Sequence, residues 1–142
     1  MNLQEQLRTI RHDLYAHRNG VVADALRKAG DPHRVISGCQ LADIKQVTQS
    51  VVPDCTLALT LWNDIHHRES RLAAIMLMPQ SEFTIDMARE WMESLVSHEE
   101  ADVLAWRLLQ HMEYAPSLLN IDAERPNVQY CLNRLAGWLN SD

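Results

Sequence analysis

Apolar residues recur every three or four positions along almost the whole chain, and no stretch alternates as a half-buried strand would. Leu3, Leu7, Ile10 and Leu14 trace one face of a first helix, which Asn19-Gly20 interrupts. Val21, Val22, Ala25, Leu26 and Ala29 make a second stripe, stopped by Gly30-Asp31-Pro32, and a loop continues to Gly38. Leu41, Ile44, Val47 and Val51 form a third stripe that Pro53 ends. Asp54 is placed to cap a helix carrying Leu57, Ala58, Leu61 and Trp62, with Asn63-Asp64 as its break. The segment from Arg68 to Met78 is apolar nearly all round, so it is predicted to be the most buried helix. Thr84 is a capping residue for a helix with Ala88, Trp91, Met92 and Leu95. Ser97-His98-Glu99-Glu100 has the spacing of a capping box, in which serine and glutamate satisfy each other's backbone donors. The helix it opens carries Ala101, Leu104, Ala105, Leu108, Leu109 and Met112. Pro116 to Pro126 reads as an irregular connection, and Val128, Cys131, Leu132, Leu135, Ala136 and Leu139 stripe a last helix.

Seven or eight helices of roughly 10–16 residues joined by about 2–6 residues imply antiparallel neighbours. An internal echo favours a solenoid over a bundle. His67-Arg68-Glu69-Ser70-Arg71-Leu72 and His98-Glu99-Glu100-Ala101-Asp102-Val103 share the pattern H-x-E-x-charged-apolar, and each follows a helix containing a tryptophan. The spacing between them is close to the period of helical repeats, and it puts Arg71 and Asp102 at equivalent places on one shared surface. The expected fold is therefore all-α, with antiparallel helix pairs stacked as a short HEAT-like or ARM-like superhelix.

Composition narrows the class. A chain of 142 residues with 46% apolar content, 4 Gly and 5 Pro suits a single helical-repeat domain over 1–142 with a real core, not a disordered chain. The apolar run Leu72–Met78 falls far short of the roughly 18 residues a membrane span needs, and residues 1–20 have no continuous apolar stretch, so a cytoplasmic protein is expected. Cys39, Cys55 and Cys131 are odd in number and far apart, which suits reduced core thiols and gives no zinc spacing. Seven histidines include no HExxH and no facing i,i+4 pair, so no metal is expected; no glycine motif cradles a phosphate, no GxSxG occurs, and no cofactor is implied. The net charge of −6 weighs against a dedicated nucleic-acid binder, though it leaves room for a local basic groove.

Leu57-Ala58-Leu59-Thr60-Leu61-Trp62, followed by His67-Arg68-Glu69-Ser70-Arg71-Leu72-Ala73-Ala74, resembles the AlkD-type DNA alkylation-repair family, and the likeness runs over about 38–112. The resemblance implies a HEAT-like solenoid holding duplex DNA in a concave face. It also implies a monofunctional glycosylase that releases N3- or N7-alkylated purines. Such a base is already a good leaving group, so the work left is to stabilise an oxocarbenium-like sugar with a carboxylate. Aromatic faces attract the cationic lesion, and an arginine holds the backbone phosphate. Carried over, Asp102 matches the carboxylate and Arg134 the phosphate-binding arginine, while His98 stands where an aromatic is expected one turn before the carboxylate.

Each of these residues has a plainer reading beside the functional one. Asp102 sits in the first turns of its helix, where the dipole favours any carboxylate. Trp106, four residues on, is either a replacement aromatic or packing, and Trp91 lies among apolar repeats as core or as a platform. Arg68 and Arg71 either present positive charge to DNA or pair with carboxylates such as Asp64; Arg107 and Arg134 are similar candidates. With His98 at the aromatic position, a chain ending before the later repeats, and net acidity, the expectation is a DNA-binding member with reduced or no glycosylase activity. The alternative is a HEAT-like module that takes a protein or peptide in its groove. A second copy capping an exposed solenoid end is a further expectation.

Overall fold

The computed structural model describes residues 2–140. Among them nine helices form and no strand does: α1 (Leu3–Ala16), α2 (Gly20–Lys28), α3 (Leu41–Gln49), α4 (Cys55–Trp62), α5 (Arg68–Leu77), α6 (Ile85–Glu93), α7 (His98–Arg107), α8 (Ala115–Leu118) and α9 (Pro126–Leu139). The chain is all-α with packed helix pairs, as the periodicity predicts. It groups into two compact units, one reaching to Pro79 and the other starting at Gln80. No described helix is long and apolar enough to cross a membrane.

In the first unit, Leu7, Ile10 and Leu14 are the buried face of α1, which Asn2 caps by accepting the Glu5 N–H. Asn19 is more than a break: its Oδ1 accepts the N–H groups of Val21 and Val22 at 3.0 and 3.2 Å, so it starts α2. Gly30, at φ +101°, ends α2 in the left-handed region that favours glycine. Asp54 caps α4 as predicted, accepting the Leu57 N–H at 2.8 Å. Its own N–H donates to Leu77 O, joining the start of α4 to the end of α5 and making the two an antiparallel hairpin. By contrast α3 runs parallel to α5: Arg68, first in α5, donates to Cys39 O just ahead of α3, and Thr48 meets Met76 near the other ends. α5 is the most buried helix, with only Met76 outside the fully buried class. At about 25 cal/mol per Å² of apolar surface removed from water, burying Leu72, Ile75 and Leu77 alone contributes several kcal/mol.

In the second unit, Thr84 caps α6 through the Met87 N–H. Phe83 and Trp91 meet edge to face with ring centroids 5.0 Å apart, and the Tyr114 hydroxyl donates to Phe83 O at 2.8 Å. Ser97 caps α7 as expected, accepting the Glu100 N–H at 3.1 Å. The glutamate's return bond reaches one residue further back than a capping box requires, to the Val96 N–H at 3.0 Å. The predicted helix through Met112 stops earlier, at Arg107, and continues as a 3-10 turn over Leu109–His111. A single helical turn, α8, overlaps the start of the stretch expected to be irregular.

Candidate functional site

α7 and α9 lie side by side and run in the same direction. Their side chains meet in a constant register of 32 residues: Asn127 donates to Leu95 O, His98 faces Tyr130, and Asp102 faces Arg134. Between the helices, Ala101, Leu104, Ala105, Val128, Cys131 and Leu135 are buried, and the Cys131 thiol points at Ala101 O. That seam fixes the rotation of each helix. Positions 98, 102 and 106 on α7, and 130, 134 and 138 on α9, are successive turns along each helix's outward side.

Three matched rungs result. In the first, the His98 and Tyr130 rings stack face to face, centroids 3.8 Å apart and planes 2° from parallel. In the second, Arg134 Nε and Asp102 Oδ1 form an ion pair at 2.9 Å. The Tyr130 hydroxyl ties the two rungs together, lying 3.0 Å from Asp102 Oδ1 and 3.1 Å from Oδ2. The third rung is Trp106 and Trp138, both exposed indoles. The Asp102 and Arg134 side chains remain 40% and 52% accessible, so the ion pair is reachable by a ligand. The cluster offers a carboxylate, a guanidinium with N–H donors beyond the one Asp102 takes, a phenol and flat aromatic surface. Such a set can bind a phosphate, or hold negative charge beside a developing cation.

Electrostatics follow the packing. Burial raises the Tyr130 phenol above its ordinary value, as do the hydrogen bond and charge of Asp102, while Arg134 pulls the other way. The Cys131 thiol is pushed up to about 12, by burial first and then by Asp102, and burial with Glu69 lifts Cys39 to about 11. A proton held more tightly in the folded state stabilises the fold below the unfolded pKa, and that stability is lost as pH rises through the folded value. Urea melts are expected to show stability falling between pH 9 and 12, with no matching loss between pH 7 and 8.5. Thiol alkylation at pH 8 is expected to reach the half-buried Cys55 well before Cys39 and Cys131, and equal rates at all three would contradict this assignment.

The remaining candidates fall elsewhere. Trp91 is buried against Phe83 and offers no open face, so it is core and not a platform. Arg107 is partly exposed at the end of α7, next to Trp106. Arg68 and Arg71 belong to the first unit and are interior residues, which corrects the expectation that they offer charge to DNA. The Arg71 guanidinium lies 3.5 Å over the Trp62 ring and donates to Trp62 O. Arg68 binds Glu69 at 2.5 Å and Cys39 O at 2.8 Å, with Asp31 4.0 Å away. Their charge is matched inside the fold. Tyr130 and Trp138 are the site residues the sequence reading missed. The pattern H-x3-D-x3-W at 98–106, repeated as Y-x3-R-x3-W at 130–138, was the available signal. Among the described residues, no group of three His, Cys, Asp or Glu side chains is arranged to hold a metal ion.

The chain is thus all-helical, with α7 and α9 parallel in constant register and a half-exposed carboxylate–guanidinium pair between them. The family model described as DNA alkylation repair enzyme matches residues 10–123, and the chain belongs to that family. Its role accordingly falls in DNA alkylation repair. No curated protein and no solved structure matches the chain.

Proposed function

We propose that the α7–α9 face binds DNA at an alkylated site and that the chain has reduced or no glycosylase activity. The observation that carries this reading is the commitment of Asp102. Both of its oxygens lie within hydrogen-bond reach of the Tyr130 hydroxyl, and one is also ion-paired with Arg134. Base release asks a carboxylate to face a cationic sugar in the transition state, and these two partners compete for that role. His98, at the place of the family's aromatic, lies flat on Tyr130 with one ring face already covered. A neutral imidazole attracts a cationic base less than an indole does, and a protonated one repels it. The exposed Trp106 and Trp138 supply aromatic surface for holding the lesion without the chemistry.

The test uses N7-methylguanine in duplex DNA. The expected result is retention of the methylated duplex with no release above a protein-free control. Release that disappears on Asp102→Asn would overturn the inactive reading and make Asp102 the catalytic carboxylate. A second reading, a protein-binding module, is favoured by one fact: from residue 80 on the chain has four Lys and Arg against eleven Asp and Glu. Failure to bind either methylated or unmodified duplex at low ionic strength would move support to it.

A further inference from the structure

The acid excess belongs to one part of the chain. Residues 1–79 have nine Lys and Arg against eight Asp and Glu, whereas the rest carry four against eleven. Six of the chain's 13 basic residues fall between Arg8 and Arg34, and all six are exposed. Two of them share one side of α1 with Tyr15: Arg8, Arg11 and Tyr15 are spaced i, i+3 and i+7, the repeat that keeps side chains in line on a helix. Arg18, just past the His17 cap, extends the row by folding back over the Tyr15 ring. They form a stripe directly beside the buried row Leu7, Ile10 and Leu14, so the core itself sets its direction. Of the acidic residues of α1, Asp13 falls outside this spacing, and Glu5, three residues before Arg8, stands at the end of the row and is hydrogen-bonded to Asn2.

The stripe borders a trough. Tyr15, Val35 and Ser37 line two adjoining depressions, one completed by Arg11 and His67 and the other by Arg18 and Gly20. Tyr15 is 59% exposed, and the Arg18 guanidinium sits 4.2 Å from its ring centroid while donating to Tyr15 O. Arg11 makes a 3.7 Å pair with Asp64 and remains half exposed; a surface pair of this kind is worth about 0–1 kcal/mol and is readily exchanged for a stronger anion. Nothing in the Asp102 cluster uses these residues.

We infer that the Arg8–Arg11–Tyr15–Arg18 stripe is a phosphate-backbone contact surface that gives the chain sequence-independent affinity for DNA. The partner is chosen by chemistry. Three guanidiniums in line, with an aromatic ring between them, match a strand of phosphates, and release of condensed counterions makes such contacts strong at low salt. This accounts for how a chain of net charge −6 holds a polyanion: the positive row is local and the acid excess is in the other unit.

The experiment is fluorescence anisotropy of a labelled, unmodified duplex across NaCl concentration. It compares the full chain with the Arg8→Gln/Arg11→Gln/Arg18→Gln triple variant, the matching triple lysine variant, and Arg89→Gln, an exposed arginine of α6 outside both clusters. Each lost phosphate contact removes roughly 0.9 from the log–log salt slope, so the glutamine triple should flatten it by about 2.7. That corresponds to about forty-fold of the affinity change between 50 and 200 mM salt. The lysine triple should keep the slope, and so should Arg89→Gln, which separates this stripe from the loss of positive charge in general. A glutamine triple with unchanged slope, absence of duplex binding by the unaltered chain at 50 mM salt, or equal binding to a labelled polyglutamate of similar charge would each overturn the inference. Circular dichroism of the triple variants controls for folding.

Discussion

Glu69→Ala is expected to be among the most damaging single substitutions in the chain, costing about 3–5 kcal/mol. The side chain is 4% exposed and has three structural partners. One oxygen accepts the Ser37 N–H at 2.8 Å, the other accepts the Gly38 N–H at 3.1 Å, and Arg68 lies 2.5 Å from the second. Removing it leaves two loop donors without their acceptor and a buried guanidinium short of its nearest counter-charge. The Cys39 carbonyl and the more distant Asp31 stay beside Arg68, but neither replaces the carboxylate at 2.5 Å. Urea melts followed by circular dichroism measure the loss. The double variant Arg68→Met/Glu69→Leu should recover part of it, because an apolar pair replaces the orphaned charge while the two loop donors stay unmet. A single variant within about 1 kcal/mol of the parent would mean that water takes over these bonds easily, and that the cluster is not a structural core.

Gly38→Ala should rival it. Gly38 has φ +90°, where a side chain is strained, and a Cβ there would lie 2.0 Å from Asn19 O and 2.9 Å from Ala23 N. Those atoms belong to backbone that opens α2: Asn19 O accepts the Ala23 N–H at 2.9 Å, and the Asn19 N–H donates to Ser37 O at 2.9 Å. No flexible side chain is available to yield. Strain and clash together suggest a loss of at least about 3 kcal/mol, with the start of α2 pushed away from the loop. Gly30→Ala is the matched control. It shares the positive φ, at +101°, but meets open space, so only about 1–2 kcal/mol is expected. Equal effects at the two positions would show that backbone strain, not the clash, sets the cost.

These two sites mark where the sequence was and was not readable. Local signals served well: Asp54, Thr84 and Ser97 start the helices they were predicted to cap, because a cap acts over three residues. The depth of α5 was legible too, from its apolar run. Arg68 and Arg71 were not, since their burial depends on the loop at 35–39, on the carboxylates of Asp31 and Glu69, and on Trp62 in the preceding helix. Periodicity says nothing about those meetings. For the tryptophans the information was present. Trp91 falls in the apolar row with Ala88, Met92 and Leu95, whereas Trp106 shares its helix side with Asp102. The family resemblance singled out Asp102 and Arg134 separately, but their pairing and the role of Tyr130 depended on how α7 and α9 are rotated.

The constant offset between α7 and α9 has a consequence for which length changes the protein tolerates. The rungs are held by side chains on two helices; of the 108–125 segment between them, Leu108, Leu109, Met112, Ala115 and Leu118 are buried, whereas Leu119-Asn120 is an exposed turn. Adding or deleting a residue at an exposed turn there, such as Leu119-Asn120, changes the offset in number but lets each helix keep its rotation. The same change between Tyr130 and Arg134 turns everything beyond it by roughly 100° and carries Arg134 off Asp102. Drift in the length of this protein should therefore gather in the connection, while α9 acts as a reading frame in which a single slip is nonsense.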